Sequence, residues 1–357
     1  MKIFFILMFL FIIIAPFLYF LYKFKYLKKL YKNILGVCTL FSLIIICMKI
    51  FILPNNPIFF VFTMIVQFYI LSVFITVIIL ALYQLLMSFI HKTVQKRVVI
   101  LCGVIAVAIT SFGYMTHFHK VEKNYDIVVH KDTDLSSLRI AAISDMHLGT
   151  GTYLQDVNHL VNKINQQSYD AIFLIGDLFD ESTPTEMVVE ALNSLSHMKS
   201  QYGIYAVNGN HEHFANILDP SLYQKNNIQL LNENYVCVDG LFNIVGREDV
   251  SAHQEQTIAQ IIQGMDTSLP TFVLDHNPKR YQEMMNYADL QISGHTHAGQ
   301  AFPLTLLTAP LYDNVYGLLQ KNDFSLIVTS GYGSWGFPVR LLTHCEYLDI
   351  KITFTKK

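Results

Sequence analysis

The feature that most constrains this chain is the lack of acidic residues in its first third. No Asp or Glu occurs between Met1 and Val121, and long apolar runs dominate there. The whole chain is 52% hydrophobic with a mean hydropathy of +0.37, which is too high for one ordinary soluble domain. The sequence therefore predicts two regions, an apolar region over 1–121 and a domain over 122–357.

The apolar region contains four stretches, at about 3–22, 34–53, 58–90 and 98–114. A helix needs about 20 apolar residues to cross the hydrocarbon core of a bilayer, so we predict an anchor of about four transmembrane helices. The first stretch could instead be a signal peptide, but it has no clear small-residue cleavage site. We favour a retained helix.

The charges of the connections predict an orientation. Five lysines lie between residues 23 and 32, and Lys92, Lys96 and Arg97 lie in the third connection, whereas the second carries no charge. The positive-inside tendency places the first and third connections in the cytoplasm. We therefore expect a multi-pass protein of the cell membrane whose C-terminal domain is extracytoplasmic. Since acidic residues are absent from the spans, an anchor is favoured over a transporter or sensor.

The C-terminal domain is strongly acidic. All 27 acidic residues but only 14 of the 25 basic ones lie beyond Val121, a formal charge of −13. Nucleic acid is not expected as a partner because its binding requires a basic face. Bound metal cations would still allow a small phosphorylated substrate. Cys237 and Cys345 lack metal-type spacing, and a disulfide between them is the less favoured alternative.

Short apolar runs alternate with amphipathic segments in this domain, which predicts an α/β fold with parallel pairing early and antiparallel additions later. The predicted helices are 154–164 and 185–198. The predicted strands are 138–144, 171–175, 204–208, 242–246, 271–274, 290–293 and 325–329.

Polar segments follow five of these strands. In α/β sheets, ligands bind outside the carboxyl ends of strands, so these segments are expected to converge. Carboxylate, imidazole and amide oxygen suit divalent Mn, Fe or Zn. Taken alone, each segment is weak evidence for a metal site. Asn210, for example, could cap a helix, and His276 could be a histidine of the core with ordinary hydrogen bonds. Their conjunction predicts one metal site. The segments are Asp145-Met146-His147, Gly176–Asp180, Gly209-Asn210-His211-Glu212, Asp275–Pro278 and Gly294–Gln300.

The remaining histidines lack this context and are expected to be ordinary core or surface residues, with His213 the least certain. From about Arg139 onward the ordered segments resemble the calcineurin-like metallophosphoesterase superfamily. The Gly-His-Thr-His-x-Gly-Gln form and the stretch Gly331–Gly336, followed by Pro338-Val339-Arg340, are similar to its membrane-associated bacterial branch. The resemblance implies a four-layer α/β/β/α sandwich.

The resemblance also implies roles for individual residues. His211 would act catalytically beside the substrate, and Asp180 would orient it or support the loop. Ala298 stands where relatives often have Gly. One ion would be held by Asp145, His147, Asp177 and His297, and the other by Asp177, Asn210, His276 and His295.

The predicted activity is hydrolysis of phosphoester or pyrophosphate bonds by a water or hydroxide that bridges two divalent metals. The substrate would be a small phosphorylated molecule or a lipid-linked envelope compound. The alternatives are a phosphodiesterase for soluble nucleotides and, less favoured, a metal-dependent membrane sensor without turnover. The sequence does not fix the oligomeric state.

Overall fold

A computed structural model describes residues 57–89, 96–149, 151–181, 183–215, 219–252 and 256–356. The predicted spans at 3–22 and 34–53 lie outside these residues. The chain divides into two compact units, Met1–Tyr114 and Met115–Lys357.

The first unit contains two long helices, α1 (Pro57–Phe89) and α2 (Lys96–Phe118), the second of which runs on into the C-terminal unit. Pro57 occupies the first position of α1, where its missing N–H is not needed, and no Gly or Pro interrupts the rest. Thr63–Leu80 and Arg97–Phe118 are long and apolar enough to cross a membrane, by length and composition. Two of the four predicted spans are therefore helices in the part of the chain that the structure describes.

The first sheet of the C-terminal unit has six strands in the order β1-β12-β2-β3-β4-β5. Strands β2 to β5 are parallel, and β12 pairs antiparallel with β2 and parallel with β1. Its strands are β1 (Lys120–Val129), β2 (Ser137–Ile143), β3 (Ala171–Ile175), β4 (Ile204–Val207), β5 (Ile228–Leu230) and β12 (Cys345–Phe354). Its helices are α3 (Leu154–Asn165), α4 (Thr185–Leu195), α5 (Asn210–Ala215) and α6 (Pro220–Lys225).

The second sheet also has six strands, in the order β10-β11-β9-β8-β7-β6. The central strands β7, β8, β9 and β11 are parallel, and antiparallel strands flank them. Its strands are β6 (Asn234–Val238), β7 (Phe242–Arg247), β8 (Thr271–Asp275), β9 (Leu290–Ser293), β10 (Gly317–Lys321) and β11 (Phe324–Val328). Its helices are α7 (Ile258–Ile261), α8 (Tyr281–Met284) and α9 (Leu304–Thr308).

The two sheets pack face to face through a core that includes Phe173 and Ile350 from one sheet and Phe272 from the other. Helices α3 and α4 cover the outer face of the first sheet, where Leu160 and Leu192 are fully buried. Helices α7 and α8 cover the second sheet. The predicted mixed α/β fold is confirmed.

The seven predicted strands match observed strands to within one residue at each end. Strands β1, β5, β6, β10 and β12 were not predicted. The helix predicted over 185–198 ends three residues earlier, at Leu195. Cys345 is buried, Cys237 is exposed, and both are free, so the disulfide alternative is wrong.

Candidate metal centre and active site

The structure brings the predicted polar segments together at the carboxyl ends of strands from both sheets. Asp145, His147 and His297 offer ligand atoms within 4.8 Å of one another, and Asp177, His276 and His295 do the same. The Oδ1 atom of Asn210 lies 2.8 Å from Nδ1 of His295. All seven side chains predicted to hold metal are therefore in one cluster.

Five of these residues have left-handed backbone conformations. The φ angles of Asp145, His147, Asp177, His295 and His297 are 54°, 49°, 52°, 69° and 50°. A non-glycine residue at positive φ costs on the order of 1–3 kcal/mol and persists only where the surrounding structure imposes it. The loops are thus held in strained shapes that aim their side chains inward.

The first set of ligand atoms centres on His147. Its Nδ1 donates to Oδ1 of Asp180 at 2.7 Å, so in the neutral ring Nε2 carries a lone pair. That Nε2 lies 3.0 Å from Nε2 of His297, which lies 3.4 Å from Oδ1 of Asp145. A carboxylate that fixes a histidine tautomer in this way is characteristic of metal-binding histidines.

The second set centres on His276, which is fully buried. Its Nδ1 donates to the carbonyl of Ile175 at 2.9 Å, so Nε2 presents a lone pair in the neutral ring. This Nε2 lies 3.0 Å from Oδ2 of Asp177, yet it has no hydrogen-bond partner among the described residues. Two electron-pair donors that face each other in a buried place need a proton or a metal cation between them. The donor set therefore fits divalent metal ions.

The electrostatics of the site differ among its histidines. Burial opposes the charged forms of His147 and His276, but Asp180 and Asp177 respectively outweigh burial and raise the pKa of each ring. Burial, and then the charges of His147 and Arg340, hold the pKa of His297 well below its ordinary value. Burial and His276 likewise lower the pKa of His295. Burial opposes the ionisation of Asp177, but the charge of His276 outweighs it and lowers the pKa of that carboxyl. His295, His297 and Asp177 are thereby biased toward the neutral imidazole and ionised carboxylate forms that bind metals, whereas His147 and His276 would have to release a proton to bind one.

Glycines allow the loops to approach one another closely. A Cβ atom on Gly209 would collide with Oδ1 of Asp177. A Cβ atom on Gly294 would collide with Oγ of Ser144 and Oδ2 of Asp145. A larger residue at either position would therefore displace a carboxylate of the site.

Glu212 holds two of these loops, and its role was not found from the sequence. Its buried carboxylate accepts backbone N–H bonds from Asp177, Leu178, Phe179 and Gly209 at 2.9, 2.6, 3.1 and 2.8 Å. Burial and then Asp177 raise the pKa of Glu212, and the N–H donors oppose that shift. The only signal in the sequence was its place beside His211.

Arg340 is a second residue whose role was missed. It is fully buried, and it donates to the carbonyls of His297 at 2.8 Å and Ser330 at 2.6 Å, and also to that of Gly333. Its guanidinium ties the loop after β9 to the stretch that follows β11. A lone basic residue within an apolar segment was the available signal.

His211 lies at the edge of the cluster, with its Nδ1 3.3 Å from Oδ1 of Asp180 and 3.2 Å from Oε2 of Glu181. Burial lowers its pKa, but these carboxylates and Asp177 outweigh burial and raise it to about 9. The neighbouring carboxylates therefore favour the protonated form of the ring, which can donate hydrogen bonds. The indole ring of Trp335 lies 6.3 Å from it, centroid to centroid.

Two other histidines have ordinary partners. His213 pairs with Glu248 at 2.6 Å. His117 is buried, and its ring nitrogens lie 2.9 Å from Oγ of Ser334 and 2.9 Å from the carbonyl of Gly151. Both have the satisfied environments expected of core or surface histidines.

Asp180→Asn is expected to lower the affinity for divalent metal about 10- to 100-fold, because His147 loses the charged partner that fixes its tautomer. Titration of the chelator-treated full chain in detergent with Zn²⁺ or Mn²⁺ measures this. The exposed Asp132→Asn is the matched control. Equal affinities for the two variants would contradict the role assigned to Asp180.

Carboxylate, imidazole and amide ligands that meet at the strand ends of a layered α/β fold are the ligands of metal-dependent hydrolases. Residues 138–299 match the family described as calcineurin-like phosphoesterase. The match lies within the C-terminal unit and supports the resemblance of this domain to the calcineurin-like metallophosphoesterase superfamily.

The curated relatives share only part of their length with this chain. An uncharacterized metallophosphoesterase of Helicobacter pylori strain J99 is 34% identical over 223 residues, which cover 60% of this chain and 60% of the relative. A Danio rerio protein described as a transmembrane protein with metallophosphoesterase domain is 26% identical over 60% of this chain and 53% of its own. The chain thus spans about three fifths or less of their length.

Among solved structures, the protein TT1561 of Thermus thermophilus overlaps with 11% identity and a TM-score of 0.40, over 55% of this chain and 91% of that chain. The architecture described above rests on the sheet order and register of this chain rather than on that overlap.

Proposed function

We propose that this chain hydrolyses phosphoester or pyrophosphate bonds with two divalent metal ions, Mn, Fe or Zn. The observation that carries the proposal is the position of Asp177. Its carboxylate lies within 4.8 Å of ligand atoms from His276 and His295, and also of a ligand atom from His147, a member of the other proposed set. One carboxylate that lies between two sets of ligands can bind two ions at once.

Bound divalent ions would supply positive charge for the phosphate oxygens and a lowered pKa for the attacking water. The protein supplies the geometry. Asp145, His147, Asp177 and His297 would hold one ion, and Asp177, Asn210, His276 and His295 the other. Glu212 fixes the backbone around Asp177, and Arg340 fixes the loop of His297.

His211 is the group that would act on the substrate. Its protonated ring can donate to a phosphoryl oxygen or protonate the leaving group, and the carboxylates of Asp180 and Glu181, 3.3 and 3.2 Å from its Nδ1, stabilise the protonated form. Its backbone N–H donates to Oδ1 of Asp177 at 2.8 Å, which ties its position to that of the shared carboxylate.

His211→Ala is expected to lower kcat about 10²- to 10³-fold while leaving the metal content unchanged, because a donor is lost but no ligand is. Hydrolysis of chromogenic phosphate mono- and diesters, with metal content measured on the same samples, tests this. His197→Ala, on an exposed histidine, is the control. Loss of metal together with activity would make His211 a ligand instead.

We further propose that residues 1–121 anchor the protein in the cell membrane as a multi-pass region, with the domain over 122–357 on the extracytoplasmic side. Two apolar helices and the charges of the connections support this, as does the description of the Danio rerio relative as a transmembrane protein. Reporter fusions after Asn33, Asn56, Gln95 and Lys123 test the orientation. An active cytoplasmic reporter at Lys123 would contradict it.

A phosphodiesterase for soluble nucleotides is the second candidate, because the exposed indole of Trp335 beside His211 offers a stacking surface for a base. A metal-dependent sensor without turnover is less favoured. A sensor would need the metal ligands alone, whereas this site also places His211 where it can donate a proton to the substrate. Comparison of kcat/KM for nucleotide esters and for simple alkyl phosphates distinguishes these candidates. A preference for nucleotides that is lost in Trp335→Ala would favour the diesterase.

A further inference from the structure

The C-terminal unit carries an unusually exposed apolar surface. Every residue of α9 is exposed or half-buried, although three of its five residues are leucines. The exposed fractions of the surrounding apolar side chains run from 49% at Phe302 to 78% at Leu342. Apolar patches of this kind mark sites of interaction. The leucine patch, as we call it, consists of Phe302, Leu304, Leu306, Leu307, Leu311, Trp335 and Leu342.

The patch is one surface built from two segments that bond to each other. The N–H of Phe302 donates to the carbonyl of Leu341 at 3.1 Å. The side-chain amide of Gln300 donates to the carbonyl of Trp335 and accepts from its N–H, both at 2.9 Å. These bonds hold the loop of Trp335 against the segment that leads into α9.

The charge of the patch differs from that of the rest of the domain. Neither Gln300–Tyr312 nor Thr329–Cys345 contains an Asp or Glu, although the domain carries a formal charge of −13. The only Lys or Arg in both segments is Arg340, which is fully buried. An uncharged apolar face is compatible with a bilayer of anionic or neutral lipids, which the remaining acidic surface would avoid.

The last turn of α2, which belongs to the C-terminal unit, lies beside this patch. His117, in the last turn of α2, lies 2.9 Å from Oγ of Ser334, the residue that precedes Trp335. Its neighbours Met115 and Phe118 are 71% and 46% exposed. The C-terminal end of a helix of membrane-spanning length is therefore next to the loop of Trp335. This continuity favours lipid over a protein partner as the occupant.

The patch also adjoins the candidate active site. Trp335 lies against His211, with 6.3 Å between the ring centroids. Gln300, which positions Trp335, follows the candidate ligand His297 by three residues. A molecule lying in the patch would present its polar end to the metal centre.

We propose that the leucine patch lies in the surface of the lipid bilayer, and that the substrate is a phosphate ester of a membrane lipid taken from that bilayer. The proposed docking rests on the exposed apolar surface and on the position of the last turn of α2 beside it. The substrate class rests on the proposed phosphoesterase function.

Trp335 is the only tryptophan of the chain, so its fluorescence reports on the patch without labelling. The full chain is reconstituted in phosphatidylcholine vesicles with and without brominated acyl chains. We expect at least two-fold lower emission with bromolipid and little quenching by aqueous iodide. The control carries Trp335→Phe with Val189→Trp, which moves the probe to an exposed position on α4.

The docking would be overturned if iodide quenched Trp335 as strongly as it quenches the tryptophan of the control and if bromolipid did not lower the emission of Trp335. Protection from both quenchers would also overturn it, because protein would then cover the patch. Asp177→Ala is expected to give the same quenching as the unchanged chain, since docking does not require turnover.

The substrate class has its own test. Hydrolysis of dioleoylphosphatidic acid in the vesicles is compared with that of soluble p-nitrophenyl phosphate. In Leu306→Gln/Leu307→Gln, the ratio of the two rates is expected to fall at least five-fold. An unchanged ratio would overturn the lipid substrate. Quenching without hydrolysis of either ester would instead overturn the phosphoesterase function and leave the docking intact.

Discussion

Asp177→Ala is expected to reduce metal-dependent hydrolysis about 10³-fold or more, the largest effect we predict for a single substitution. Its Oδ2 faces Nε2 of His276 at 3.0 Å, and its Oδ1 accepts the N–H of His211 at 2.8 Å. Removing the carboxylate takes away the ligand that both proposed ions share. We therefore also expect the bound metal to fall from two ions to at most one per chain.

The measurement is metal content by mass spectrometry together with hydrolysis of chromogenic esters, on the full chain in detergent. The exposed Asp134→Ala is the matched control. If Asp177→Ala retained two ions, or if its activity stayed within ten-fold of that of the unchanged chain, the proposal that Asp177 is a ligand of both ions would be contradicted.

Glu212→Gln is expected to lower the free energy of unfolding of the C-terminal unit by about 3 kcal/mol, because a side-chain NH₂ would face backbone N–H donors in a dry site. For a domain of this size the melting temperature would fall by about 6–12 °C. Four N–H groups now donate to this one carboxylate.

Thermal unfolding of the chelator-treated full chain, followed by circular dichroism, measures the loss without a contribution from bound metal. Glu190→Gln, on an exposed position of α4, serves as the control. Equal melting temperatures for the two variants would show that the four backbone N–H bonds to Glu212 do not contribute to stability in the way their geometry indicates.

The strands that the sequence revealed are buried along all or nearly all of their length, although β7 and β9 include the polar residues Asn243 and Gln291. All five residues of β3 are buried, for example. Strands β1, β6 and β10 are half exposed and carry polar residues, so their sequences contain no long apolar run that would predict a strand. Strand β12 is mostly buried but contains Glu346 and Asp349, which find partners elsewhere in the fold. Asp349 pairs with Arg139 at 2.6 Å, a contact that no local pattern predicts.

The candidate ligands were predictable because each follows a strand closely, and strand ends bring them together. The supporting residues were not, because they act across the sequence. Arg340 contacts a residue 43 positions away, and Glu212 contacts residues up to 35 positions away. Trp335 acquires its place beside His211 only when the two sheets are assembled.

The position of β12 has a consequence for how the chain is made. It lies between β1 and β2 in the first sheet, so that Glu122 and Tyr347 are register partners 225 residues apart. At usual rates of synthesis, β1 leaves the ribosome roughly 10 to 45 s before its neighbour does. During this interval both flanking strands have an open edge, which favours aggregation. A stop codon anywhere before Cys345 would leave those edges open permanently.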